Sequence, residues 1–141
     1  LDLGSGSGIL SITALLNGAA TAVGVDIDPK AEDIARENAA INDLHADRFT
    51  AVTGDVIGDK AMMERLGGGY DVVLANIVAD VIIPLSPVVP HFLKPDGVFI
   101  CSGILDKRLD EVKAAIEAAG LTIVSVGAQE DWRRITARPK A

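Results

Sequence analysis

Leu1-Asp2-Leu3-Gly4-Ser5-Gly6-Ser7-Gly8-Ile9 opens the chain, and its three alternating glycines decide the fold. Leu1 to Leu3 reads as the stub of a strand and Ile9 to Leu16 as a short helix, so the glycines form the tight turn between them. The next β-rich stretch, Thr21 to Val25, delivers a carboxylate at its end in Gly24-Val25-Asp26-Ile27-Asp28-Pro29. A glycine turn from strand to helix, followed by an acid at the end of the next strand, is how an open α/β sheet holds an adenosine-containing ligand. The spacing narrows the choice. A dinucleotide fingerprint, Gly-x-Gly-x-x-Gly, requires its third glycine at position 9, which is Ile9. That disfavours a nicotinamide dehydrogenase. The run here is Gly-x-Gly-x-Gly after an acid.

Strand and helix patterns alternate along the rest of the chain, which argues for a parallel sheet with helices on both faces. Asp28-Pro29 marks a helix start, with Asp28 as cap and Pro29 at the first helical position. That helix is expected to run to about Asn42, with Ile34, Ala35, Asn38 and Ile41 on one face. Phe49 to Thr53 reads as a strand ending in Gly54-Asp55, and Lys60 to Leu66 as a short helix closed by Gly67. Tyr70 to Ala75 reads as an apolar run, broken only by Asp71, as for a strand buried on both faces. Ile77 to Leu93 carries Pro84, Pro87 and Pro90, which predicts a broken or kinked helix. Lys94-Pro95-Asp96-Gly97 is a turn into a strand from Val98 to Ser102. Lys107 to Ala119 is an amphipathic helix ended by Gly120, and Leu121–Val126 and Trp132–Ala137 form a final antiparallel pair.

A length of 141 residues fits one domain, and an apolar fraction of 49% suffices for a sizeable core. The net charge of −7 speaks against unspecific nucleic-acid binding, which needs Lys and Arg against phosphate. Cys101 is the only cysteine, which excludes an intrachain disulfide and fits a reducing compartment. The longest apolar stretch, Val72 to Leu93, is interrupted by Asn76, Asp80 and three prolines and is no membrane span. His45 and His91 stand apart, with no clustered ligands, so a metal is not expected. No Gly-x-Ser-x-Gly elbow exists, so Ser102, Asp26 and a histidine do not read as a triad. The chain opens inside a strand without an initiator methionine and is read as a fragment.

The first motif resembles that of the S-adenosylmethionine-dependent methyltransferases, whose cofactor has no pyrophosphate to seat on a helix terminus. With Asp26 and Gly54-Asp55 it fits the class I methyltransferase fold: α/β, Rossmann-like, a mostly parallel twisted sheet with helices on both faces and a C-terminal antiparallel strand pair. A narrower resemblance lies in Leu1 to Ile12, Gly24 to Pro29, Val73 to Ile82, Ser102 to Leu105 and Glu130-Asp131-Trp132. These are similar to the methyltransferases that modify the eleventh protein of the bacterial large ribosomal subunit. The resemblance implies a cytoplasmic enzyme of two domains that methylates lysine or N-terminal amines of that ribosomal protein. Residues 1–141 then form the S-adenosylmethionine-binding catalytic domain, without the substrate-recognition domain and without a cofactor-contacting threonine upstream of the first strand. No membrane and no direct nucleic-acid contact are implied.

Individual residues carry this expectation. Gly4 and Gly6 form the turn against which the methionine part of the cofactor lies; the alternative is a turn that needs glycine only for its backbone angles. Gly8 is read as a close-packing position. Asp26 accepts both ribose hydroxyls, Asp28 is the helix cap, and Asp55 either accepts from the adenine amine or is an ordinary turn aspartate. Asn76 ends the fourth strand, where nitrogen methyltransferases often hold an Asn or Asp whose oxygen accepts from the target amine. It is expected in both the cofactor site and catalysis; the alternative is a helix cap. Asp80 and Trp132 stay open between the site and, respectively, solvent and the core. Enzymes acting on glutamine carry Asn-Pro-Pro-aromatic where this chain has Asn76-Ile77-Val78-Ala79, which argues against them. A small-molecule methyltransferase and a non-catalytic cofactor-binding module remain as alternatives.

Overall fold

In the computed structural model, which describes residues 1–140, β1 (Asp2–Leu3) passes through the glycine turn into α1 (Ile9–Leu16). β2 (Ala22–Asp26), α2 (Pro29–Ile41) and β3 (Phe49–Thr53) follow. β2 lies between β1 and β3 and is parallel to both. These elements belong to one compact unit, Leu1–Asp55. Asp28 caps α2 through a 3.0 Å bond from the Lys30 amide to its Oδ1, with Pro29 at the first helical position. Both features are as the sequence predicts.

The inward face of α2 differs from the expectation. Ala31, Ala35 and Ala39 are buried, whereas Ile34 and Ile41 are 47% and 82% exposed. The cause is a close approach. A methyl group on Gly8 would stand 3.1 Å from Ala35 Cβ, so only a stripe of small residues lets the helix lie that near. Ala35 and Ala39 then pack with Ile12, Leu15, Leu44, Phe49 and Ala51 in the core of this unit. Gly8 is thus a packing glycine, as its spacing implied.

The second unit, from Val56 onward, holds α3 (Lys60–Leu66), β4 (Tyr70–Asn76), α4 (Ala79–Leu85), α5 (Val89–Phe92), β5 (Leu93–Leu105), α6 (Leu109–Ala118), β6 (Leu121–Gln129) and β7 (Trp132–Pro139). β5 is parallel to β4 and antiparallel to β7, which pairs in turn with β6. The proline-rich segment is broken as expected: α4 gives way to a 3-10 turn at Ser86–Val88 before α5. Pro87 and Pro90 each sit in a first turn, where a missing amide costs nothing.

β4 is buried on one face only, contrary to the reading of its apolar run. Val73 and Ala75 are buried, while Val72 is 38% exposed and Leu74 half-buried. Val73 and Ala75 join Phe99, Cys101, Ile82, Val112 and Ile116 in the core of this unit, and among the described residues Val72 and Leu74 on the other face are not buried. Burial pushes the Cys101 thiol up to about 12, so it stays protonated at neutral pH and lacks the thiolate that reacts. Among the described residues no helix is long and apolar enough to cross a membrane.

Candidate functional site

The glycine turn is fastened to the end of β2 by its own backbone. The amides of Gly4 and Ser5 both donate to the Val25 carbonyl, at 2.8 and 3.1 Å. The Gly6 amide donates to Asp26 Oδ2 at 2.9 Å, and the Asp28 amide donates to Asp26 Oδ1 at 3.0 Å. Gly4, Gly6 and Gly8 all have positive φ, at 73°, 52° and 82°, which is why the turn takes three glycines. A methyl group on Gly6 would meet nothing within 4 Å, so open space lies over the turn. Gly24 has the opposite constraint: a methyl there would stand 2.9 Å from Ser5 Cβ, which lets the turn settle onto β2.

This network fixes the Asp26 carboxylate before any ligand arrives. Each oxygen accepts one amide, and an ionised carboxylate offers about four lone-pair sites, so each keeps room for another donor. Asp26 is half-buried and reachable. Two acceptors side by side match the two adjacent hydroxyls of a ribose. The Gly54 amide donates to the Asp26 carbonyl at 2.9 Å, which brings the end of β3, and exposed Asp55 beyond it, to the same edge. Gly4, Gly6, Asp26 and Asp55 therefore gather at the carboxyl ends of β1, β2 and β3. The arrangement fits a nucleoside whose ribose hydroxyls face the Asp26 carboxylate, with open space over the turn.

Asp2, which the sequence marks only as the acid before the motif, is buried and accepts from Ser11 Oγ at 2.9 Å. The bond ties β1 to α1 across the turn. Burial raises the Asp2 pKa above its ordinary value, with the Ser11 bonds opposing. A carboxyl raised in this way contributes stability that is complete below its unfolded value and is lost as pH rises through its folded value. Asn at this position keeps an acceptor for Ser11 and carries no charge. We expect Asp2→Asn to raise the melting temperature at pH 7, with the gain shrinking toward pH 4, as read by thermal unfolding at both values.

In the second unit Asn76 ends β4 and is exposed. It does not cap α4: the cap position is Val78, and no side chain bonds there. The Asn76 side chain is thus spared the structural job that competed with a role in the site. Beside it on β5 lie Ser102, its pairing partner, and Gly103. A cleft of about 380 Å³ opens there, lined by Ser102, Gly103, Gly127, Trp132 and Arg134 among others. Trp132 is 50% exposed and is not a core residue. The Arg134 guanidinium lies over Gly127, where a methyl would stand 2.5 Å from Nη2, and Nη1 donates to Thr136 Oγ1 at 2.8 Å. Arg133 pairs with Asp106 at 2.9 Å and donates to the Glu130 and Trp132 carbonyls, which stiffens the β6–β7 turn. Asp80 does not stand alone in solvent: Arg108 reaches it at 2.8 Å and also holds Glu111 at 2.9 Å, fastening α4 to α6. Nothing in the spacing of Asp80 and Arg108, 28 residues apart, announces that pair.

A glycine turn fastened to a carboxylate at the end of the second strand, with an antiparallel pair closing the chain, defines the class I methyltransferase fold. The family model described as "Ribosomal protein L11 methyltransferase (PrmA)" matches residues 1–140. The chain belongs to the ribosomal protein L11 methyltransferase family. It is 48% identical over 139 residues to the ribosomal protein L11 methyltransferase of Agathobacter rectalis, covering 98% of this chain and 43% of that protein. The protein of the same name in Lachnoclostridium phytofermentans is 43% identical over 152 residues, covering 98% of this chain and 46% of the relative. The crystal structure of a ribosomal protein L11 methylase from Lactobacillus delbrueckii subsp. bulgaricus superposes with a TM-score of 0.89 at 28% identity, over 99% of this chain and 69% of that one. The chain thus spans less than half the length of those two curated relatives.

Proposed function

We propose that residues 1–141 are the S-adenosylmethionine-binding, methyl-transferring domain of an enzyme that methylates amine nitrogens of ribosomal protein L11, on lysine side chains or at the chain start. The observation that carries this reading is the Asp26 carboxylate, held by two backbone amides with an acceptor site left on each oxygen. The names of the relatives support the substrate. The negative net charge supports a protein rather than a nucleic acid as partner. A ribosomal substrate and a lone buried thiol support a cytoplasmic setting.

S-adenosylmethionine, when bound, supplies a methyl carbon made electrophilic by its sulfonium. The chain's own residues do the rest by holding. Asp26 accepts the ribose hydroxyls, Asp55 accepts from the adenine amine, and Gly4 and Gly6 keep the turn bare for the methionine arm. Asn76 belongs to both halves of the reaction: it borders the cofactor and accepts an N–H from the acceptor amine, which aims the nitrogen lone pair. A carboxamide takes no proton, so the amine must arrive neutral. A free lysine has a pKa of about 10.4, so neutrality costs about 4–5 kcal/mol at pH 7. A desolvating cleft lowers that cost by disfavouring the ammonium. Fixing the reacting atoms at attack distance supplies about 7–11 kcal/mol. The exposed Trp132 indole beside Ser102 and Gly103 offers an apolar wall for the aliphatic stem of a lysine.

The test is to incubate the full-length enzyme with ribosomal protein L11 and methyl-labelled cofactor, then map the product by mass spectrometry. Label on lysine or N-terminal nitrogens is expected. Label on another atom type, or none despite bound cofactor, overturns the reading.

A further inference from the structure

β5 is interrupted directly beside Asn76. Cys101 pairs with Ile135 of β7 and Ile104 pairs with Arg133, so Ser102 and Gly103 together face Arg134 alone. This is a β-bulge, one extra residue that bends the strand and re-aims what lies on it. Gly103 has φ 83°. A second register shift, at Val124 in β6, is made without glycine, so a bulge in this sheet does not by itself demand one. What distinguishes position 103 is the group lying against it. A methyl group there would stand 3.0 Å from Asn76 Oδ1, 3.0 Å from the Ile77 carbonyl oxygen and 3.4 Å from the Ile77 carbonyl carbon. The last two are backbone atoms and cannot swing aside, so the Asn76 carboxamide would be the group to move.

We propose that Gly103 is a positioning residue for methyl transfer: the β5 bulge makes a bare seat that sets the Asn76 carboxamide toward the acceptor amine. This rests on the role given above to Asn76. A side chain at 103 displaces Oδ1 from its place over the strand, and the amine it would hold is displaced with it. The expected consequence is a loss in turnover and not in cofactor affinity, because Asp26 and the glycine turn are untouched.

The test uses the full-length enzyme in a double-mutant cycle of Gly103→Ala and Asn76→Ala, with Gly120→Ala as control. Gly120 has φ 91°, and a methyl there meets nothing within 4 Å, so its replacement carries the backbone strain without the crowding. Gly120→Ala is expected to lower the melting temperature and leave kcat alone. Gly103→Ala is expected to lower kcat about tenfold or more, since a 1 Å misplacement can cost up to about 100-fold. Its cofactor Kd should stay within about twofold, and in the Asn76→Ala background it should cost less than about twofold further. Gly103→Asn, which tolerates positive φ far better than alanine, repeats the measurement if Gly103→Ala does not fold. Full turnover in a folded Gly103 variant beside a crippled Asn76→Ala overturns the proposal alone, as does an additive cycle. Normal turnover in Asn76→Ala removes the Asn76 reading and the proposal with it.

Discussion

Asp26→Ala is expected to weaken S-adenosylmethionine binding by about 100-fold or more in the full-length enzyme, because two hydrogen bonds to a charged group at roughly 1.5–3 kcal/mol each are lost. The change also removes the acceptor of the Gly6 and Asp28 amides, so the glycine turn loses its pin. Asp26→Asn separates the two effects. It keeps the size and one acceptor but turns a donor toward an amide that itself donates, so its affinity should fall between wild type and alanine. Calorimetric titration, with far-UV circular dichroism to confirm the fold, gives the answer. A dissociation constant for Asp26→Ala within about threefold of wild type would detach the acid from the sugar, since even one such bond is worth more than that.

Asn76→Ala is expected to behave in the opposite way: kcat falls by about 100-fold or more, the usual scale for removing one aimed polar group from a reacting centre. Cofactor affinity is expected to fall only modestly, because the proposed sugar-binding carboxylate, Asp26, is unchanged. Asn76→Asp sharpens the point. A carboxylate there favours the ammonium form of the acceptor, so turnover should be depressed at pH 7 and recover as pH rises. Single-turnover measurements at pH 7 and 9 compare the three forms. Unchanged kcat in Asn76→Ala removes the residue from the mechanism.

Much of this was legible in the sequence because each signal is local. Gly4, Gly6 and Gly8 announced a tight turn between a strand and a helix, and the structure gives all three positive φ. Asp28-Pro29 is a cap and first-turn pair within two residues, and three closely spaced prolines after β4 mark a segment that is not one regular helix: Pro84 lies inside α4, and Pro87 opens the 3-10 turn at Ser86–Val88. The place of Asp26 follows directly, since it is set by the strand it ends. The inward face of α2 was not legible, because it depends on how near another element comes. Ile34 and Ile41 are the stronger hydrophobes, but Gly8 brings the first turn of α1 so close that only alanines fit. Tertiary approach outweighed apolar content. The exposed face of β4 escaped for the same reason: the run Tyr70 to Ala75 fixes a strand but not what covers it. Arg108 with Asp80, Asp2 with Ser11, and the bulge under Asn76 are pairings across turns and strands, and spacing carries no signal of them. Trp132 could not be assigned to core or cleft from its place in the sequence; its 50% exposure in the structure takes it out of the core.

We propose that the carboxyl edge of β1, β2 and β3 takes a sulfonium nucleoside held at its sugar by one acid, Asp26. The most direct test is a crystal structure of the full-length enzyme with S-adenosylhomocysteine. We expect both ribose hydroxyls within hydrogen-bonding distance of the Asp26 oxygens and the amino-acid arm across Gly4 and Gly6. A well-ordered ligand seated elsewhere, with Asp26 still bonded only to the Gly6 and Asp28 amides, would contradict the account.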